Sequence, residues 1–214
     1  MWMCDDDSLD PGILPEYVDF LLNNPGYSLV SGQITYWIGG HPIYCERDFN
    51  IEHNWRMARL LRFYYQVVCG SIFYGLMPRH IAKQIPLESR MGDDWHFVAT
   101  LAYLGKIKNL DRIGYHKKSG GISKNFKVYG KAIGATSFAT RFPHFQIAVD
   151  AFSNILHHSP VYASQPFLVR MGLAFFSFCS LIVGHYGKLY PFILGGKIKR
   201  LMGFKTSKGA VHNA

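Results

Sequence analysis

Five aspartates in two groups, and one histidine-lysine run, hold most of the chemistry this sequence can offer. Asp5, Asp6 and Asp7 stand side by side, and Asp93-Asp94 follows about 85 residues later within Arg90-Met91-Gly92-Asp93-Asp94-Trp95-His96. Three adjacent carboxylates repel one another unless a cation compensates, so a cluster at a strand end fits Mg²⁺ or Mn²⁺ with hard oxygen ligands. A solvated acidic loop that caps the next helix accounts for the same residues. The Asp93-Asp94 pair opens a run with Trp95, Val98, Leu101 and Ala102 at helical spacing, where the helix dipole favours ionised acids. Such a pair either caps the helix or, held rigidly at its start, accepts a proton from an attacking hydroxyl. The third group is Tyr115-His116-Lys117-Lys118-Ser119-Gly120-Gly121-Ile122-Ser123-Lys124. It reads as a flexible loop able to wrap a pyrophosphate, or as an ordinary basic surface turn.

The elements that must position these groups follow from periodicity and breakers. Residues 1–4 read as the end of a buried strand that aims the carboxylates at a loop, with Asp10-Pro11-Gly12 as turn chemistry. Pro15 to Leu22 carries helical spacing at Tyr17, Phe20 and Leu21. Tyr27 to Trp37 predicts one or two strands that end at Gly39-Gly40-His41-Pro42. A helix over 54–68 sets Arg56, Arg59 and Arg62 on one basic stripe, with a solvated surface face as the plain explanation. Val67 to Met77 reads as a buried strand or hairpin, and Ile107 to Leu110 as a short strand. Over 143–158, Phe145, Ala148, Val149, Phe152, Ile155 and Leu156 mark an amphipathic helix. Residues 167–184 are apolar apart from Arg170, and His185, Lys188, Lys197, Lys199 and Arg200 follow. That stretch is short for a transmembrane span of about 20 residues, which leaves an interfacial or re-entrant helix beside an anionic leaflet, or a buried C-terminal helix.

With 214 residues, 49% hydrophobic and 17% charged, the chain has apolar mass for one substantial core and an appended segment, which excludes intrinsic disorder. A net charge of +9 suits a phosphate-bearing partner or an anionic membrane surface. The basic residues are scattered and form no recognition module, so no nucleic acid is expected. Cys4, Cys45, Cys69 and Cys179 stand far apart without a CxxC pair, which points to a reducing, cytoplasmic setting rather than a zinc knuckle or a disulfide scaffold.

Taken together, the acidic triplet, the Gly-Asp-Asp-Trp helix start and the His-Lys-Lys-Ser-Gly-Gly-Ile-Ser run resemble, in order and spacing, the second half of a glycosyltransferase family 2 enzyme of GT-A fold. Asn24-Pro25 leading to Val30-Ser31-Gly32-Gln33-Ile34, and Phe73-Tyr74-Gly75-Leu76-Met77-Pro78-Arg79, add to the likeness, which covers about residues 1–130. The resemblance implies an α/β fold, a partial GT-A-like domain over 1–130 without the nucleotide-binding N-terminal half, and a helical, apolar and basic extension over 131–214. It implies metal-assisted transfer, with inversion, of a sugar from a nucleotide-diphosphate donor to a hydroxyl acceptor. Asp5 and Asp7 then match the DxD motif and, with His116, hold Mg²⁺ or Mn²⁺; Asp6, Lys117, Lys118 and Ser123 contact the donor. Asp94, with Asp93 beside it, matches the general base, while Trp95, Tyr74 and Gly75 meet the acceptor. The expected partners are a nucleotide-sugar donor, a saccharide or lipid-linked acceptor, a membrane surface at its inner, cytoplasmic face, and a partner chain that supplies the missing half. A non-catalytic membrane-surface or assembly subunit derived from such an enzyme is the alternative.

Overall fold

The computed structural model describes residues 1–38, 41–46, 50–67, 71–118 and 126–201, with side chains described outside 38, 43–46, 126 and 188–201. Four strands, β1 (Ser8–Leu9), β2 (Tyr27–Ile38), β3 (His41–Glu46) and β4 (Lys106–Lys118), form one mixed sheet in the order β1-β4-β2-β3. β2 and β4 run parallel, with Ile34 opposite Tyr115 and Tyr36 opposite Lys117. The outer strands β1 and β3 pair antiparallel to them.

Helices cover both faces. On one side lies α1 (Ile13–Asn23), whose Ile13 and Tyr17 bury against Val30. On the other lie α2 (Arg56–Gln66) and α4 (Asp93–Leu104), joined through the short α3 (Arg79–Ala82). Leu29 and Val30 enter opposite cores because side chains alternate along a strand. After α5 (Phe126–Ala132) and α6 (Ser137–Arg141), α7 (Pro143–Ser153) leads through a π-turn at Asn154–His158 and the short α8 (Pro160–Ala163) to α9 (Phe167–Leu201). The main core runs without a break from Leu29 and Trp95 to Ile147, Tyr162 and Leu181, so the segment beyond residue 130 shares it.

Several local expectations change in the structure. Met1, Trp2 and Met3 are exposed and carry no strand, and the first strand is Ser8–Leu9. Strand β4 extends to Lys118, so Tyr115, His116, Lys117 and Lys118 are strand rather than loop; their pairing with Ile34 to Trp37 outweighs their polar composition. Among the described residues, the stretch before Pro78 holds a 3₁₀ turn at Ser71–Tyr74 and a single bridge from Leu76 to Val30, in place of a strand. Arg59 leaves the proposed basic stripe: it is buried and donates to the carbonyls of His53, Asn54, Ala102 and Tyr103 at 2.7–3.0 Å. It thereby satisfies carbonyls that the end of α4 leaves unpaired. In α7, Ile147, Ala148 and Ala151 are buried while Phe145 and Val149 are exposed.

Candidate functional site

The carboxyl ends of the parallel pair β2 and β4 meet the N-terminus of α4 and the acidic segment that precedes β1. This is where open α/β sheets collect ligands, because the strands deliver side chains there without covering them. Asp7 is tied to β4 by both oxygens: it accepts the Tyr115 hydroxyl at 2.9 Å and the Lys118 backbone N–H at 2.9 Å. Tyr115 also accepts the Cys4 N–H at 3.3 Å and stacks on Tyr74, with centroids 4.9 Å apart. The Tyr74 hydroxyl lies 3.4 Å from the Cys4 sulfur, and the Lys117 ammonium sits 4.6 Å from the centre of the Tyr74 ring.

Asp94 completes the group from the α4 side. Gly92, at φ 73° and packed against Ile147, turns the chain into the helix without the strain a side chain would bring there. One Asp94 oxygen accepts the Trp95 backbone N–H at 3.0 Å. Burial pushes the Asp94 carboxyl up from its ordinary range, and the Lys117 cation opposes that rise. The charge of Asp94 is also felt at Tyr74 and Tyr129, whose hydroxyls are both raised mainly by burial. Asp94 has Tyr74 and Lys117 as neighbours, and Asp7 joins the same cluster through Tyr115, which stacks on Tyr74.

Other predicted site residues stand elsewhere. His116 points to the opposite face, the one that α1 covers, because alternation separates it from Tyr115 and Lys117. Its Nδ1 accepts the Trp37 indole N–H at 3.1 Å and its Nε2 lies 3.7 Å from Asp10, so both ring nitrogens are engaged away from Asp7. Lys118 is on that face too and offers Asp7 its backbone only. Asp93 is buried and accepts the Glu88 N–H at 2.7 Å with Arg90 at 3.8 Å, which clamps the preceding loop. Trp95 is buried in the main core, 5.9 Å from His144 ring to ring, so it offers no face to an acceptor. Gly75 has a packing role: a Cβ there would sit 2.5 Å from the Val30 carbonyl oxygen. Ser123 lies outside the described residues.

Among the described residues the group able to approach one cation is Cys4, Asp6 and Asp7, whose ligand atoms lie within 4.8 Å of one another; Asp5 stands outside it. The two carboxylates fit a hard divalent ion that keeps waters or phosphate oxygens for its remaining positions, whereas the thiol is a soft donor that Mg²⁺ ignores. Sequence reasoning missed Cys4, Tyr115 and Tyr129. Tyr115 had a usable signal, since a strand-period reading of Tyr115-His116-Lys117 places the tyrosine and lysine together and the histidine apart.

No family model, no curated protein and no solved structure matches this chain.

Proposed function

We propose that this chain is a GT-A-like glycosyltransferase related to family 2, transferring a sugar from a nucleotide-diphosphate donor to a hydroxyl acceptor by a single inverting displacement. The observation that supports the proposal is the run of contacts from the acidic segment to Asp94: Tyr115 donates to Asp7 and stacks on Tyr74, and Lys117 lies over Tyr74 while acting on Asp94.

In this reading Asp94 removes the proton of the attacking hydroxyl. Burial keeps its carboxylate poorly solvated and therefore a better base than an exposed aspartate, while the Trp95 N–H and the Lys117 cation favour its ionised form. Asp6 and Asp7 are the residues that would hold Mg²⁺ or Mn²⁺, which when bound neutralises the departing diphosphate. Tyr115 and the Lys118 amide hold the Asp7 carboxylate in place. Lys117 adds positive charge on the same side, and half-buried Tyr74 is the aromatic residue there to meet an acceptor.

Isothermal titration with a panel of nucleoside diphosphates, with and without Mn²⁺, tests the reading. Mn²⁺-dependent binding of at least one member supports it, and silence across the panel rejects donor binding by this polypeptide. Such silence would favour the second reading, a non-catalytic membrane-surface or assembly subunit, which the uncovered apolar side of α9 supports.

A further inference from the structure

Over residues 167–187, helix α9 packs one side against the domain and presents the other to solvent. Leu173, Ala174, Ser177 and Leu181 are buried against α2 and α7, and Gly184 touches α2 so closely that a Cβ would lie 2.2 Å from the Tyr65 carbonyl oxygen. At 100° per residue the opposite arc carries Leu168 (72% exposed), Met171, Phe175 (54%), Phe176 (57%), Val183 (57%) and Tyr186. Residues 171–187 include no Asp, Glu, Lys or Arg. A helix that meets water on its outer side is polar there; this one is apolar for about 27 Å, at 1.5 Å per residue.

The apolar surface continues onto the neighbouring helices. Phe178 of α9 meets exposed Phe145 of α7 with centroids 5.9 Å apart, Phe145 meets Phe138, and Phe138 meets Phe142, beside which exposed Arg141 stands. Charge identifies what covers this surface. Residues 151–214 contain no acidic residue and seven Lys or Arg, among them Lys188, Lys197, Lys199 and Arg200. A second copy would bring the same positive charge against itself, whereas an anionic leaflet offers hydrocarbon and negative headgroups together.

We propose that the outer face of α9, continued by Phe138, Phe142 and Phe145, lies in the plane of an anionic lipid bilayer surface. Phe167–Gly187 is long and apolar enough to cross a bilayer, but a crossing would strip away its packing on α2 and α7 from Leu173 to Gly184, which favours a position in the surface. The proposal stands on α9 and the phenylalanines beside it, and holds whether or not the chain transfers sugar.

Co-sedimentation of the full chain with phosphatidylcholine vesicles, with and without about 30 mol% phosphatidylglycerol, reads it directly. We expect binding to the anionic vesicles about tenfold tighter than to neutral ones, weakened by salt, and at least about tenfold weaker for Leu168→Glu/Phe175→Glu with unchanged circular dichroism. Should those glutamates disturb the helix, Phe175→Ser/Phe176→Ser provides the same comparison. Equal affinity for neutral vesicles, binding indifferent to both double variants, or no vesicle binding at all would overturn the proposal. So would a wild-type dimer that either double variant converts to monomer without any vesicle binding, which would assign the face to a second copy.

Discussion

The Lys117 ammonium lies 4.6 Å from the centre of the Tyr74 ring while its charge opposes the burial-driven rise of the Asp94 carboxyl. Replacing Lys117 with Met removes the opposing cation and leaves the Trp95 N–H bond to offset burial. If Asp94 is the base, the acidic limb of the pH–rate profile for sugar transfer moves to higher pH in Lys117→Met, because a higher pKa requires a higher pH to ionise the carboxylate. A profile that stays in place separates Lys117 from Asp94.

Asp94→Asn keeps the shape of the side chain and its position at the start of α4 but removes the basic oxygen. Transfer should fall by about 10²–10⁴-fold, with nucleotide affinity from titration calorimetry largely intact. Near-normal turnover would take Asp94 out of its role.

Arg59→Met leaves four carbonyl oxygens without their donor, two of them at the end of α4. Hydrogen bonds from a charged group are the costly ones to lose, so stability should fall by on the order of 3 kcal/mol. The urea midpoint measures it; a change below about 0.5 kcal/mol, the range of plain surface substitutions, would return Arg59 to the solvated stripe.

Two histidines contribute to the response to acid. Burial holds His96 down to about 3 and His144 down to about 4, and His144 stacks on His185 with centroids 3.3 Å apart. The unfolded chain takes up these protons near its ordinary value of about 6.5, before the folded chain does, so stability is full above that pH and falls as pH drops toward 4. The raised carboxyls of Asp93, Asp94 and Asp150 act in the opposite sense at the lower end of that window. Urea unfolding between pH 7 and 5 should show a loss on the order of 1 kcal/mol per pH unit for each histidine, with a shallower slope in His144→Phe. A flat response in the wild type would contradict the burial of both rings.

Helices α1, α2 and α4 are legible in the sequence because their apolar spacing and their breakers agree: Pro11-Gly12 before α1, and Gly92 before and Gly105 after α4. The parallel pairing of β2 with β4 is not, since strand partners are set by tertiary contacts far apart in the chain. That hidden pairing is why Tyr115 to Lys118 reads as a loop, and why the resemblance sets His116 beside Asp7 when alternation sends it to Asp10 and Trp37. Of the two acidic groups, composition and order mark their positions, whereas the division of labour inside each depends on burial. Asp93 turns inward to the Glu88 amide, while Asp94 faces Lys117.

Paramagnetic relaxation by Mn²⁺ tests most directly whether the acidic segment and the start of α4 enclose one site. With Mn²⁺ and a nucleoside diphosphate added to the isotope-labelled full chain, amide signals of Asp6, Asp7, Lys117 and Asp94 should broaden together, and the effect should vanish in Asp6→Asn/Asp7→Asn. Broadening confined to residues 4–7, with Asp94 and Lys117 as sharp as without the ion, would contradict a shared site.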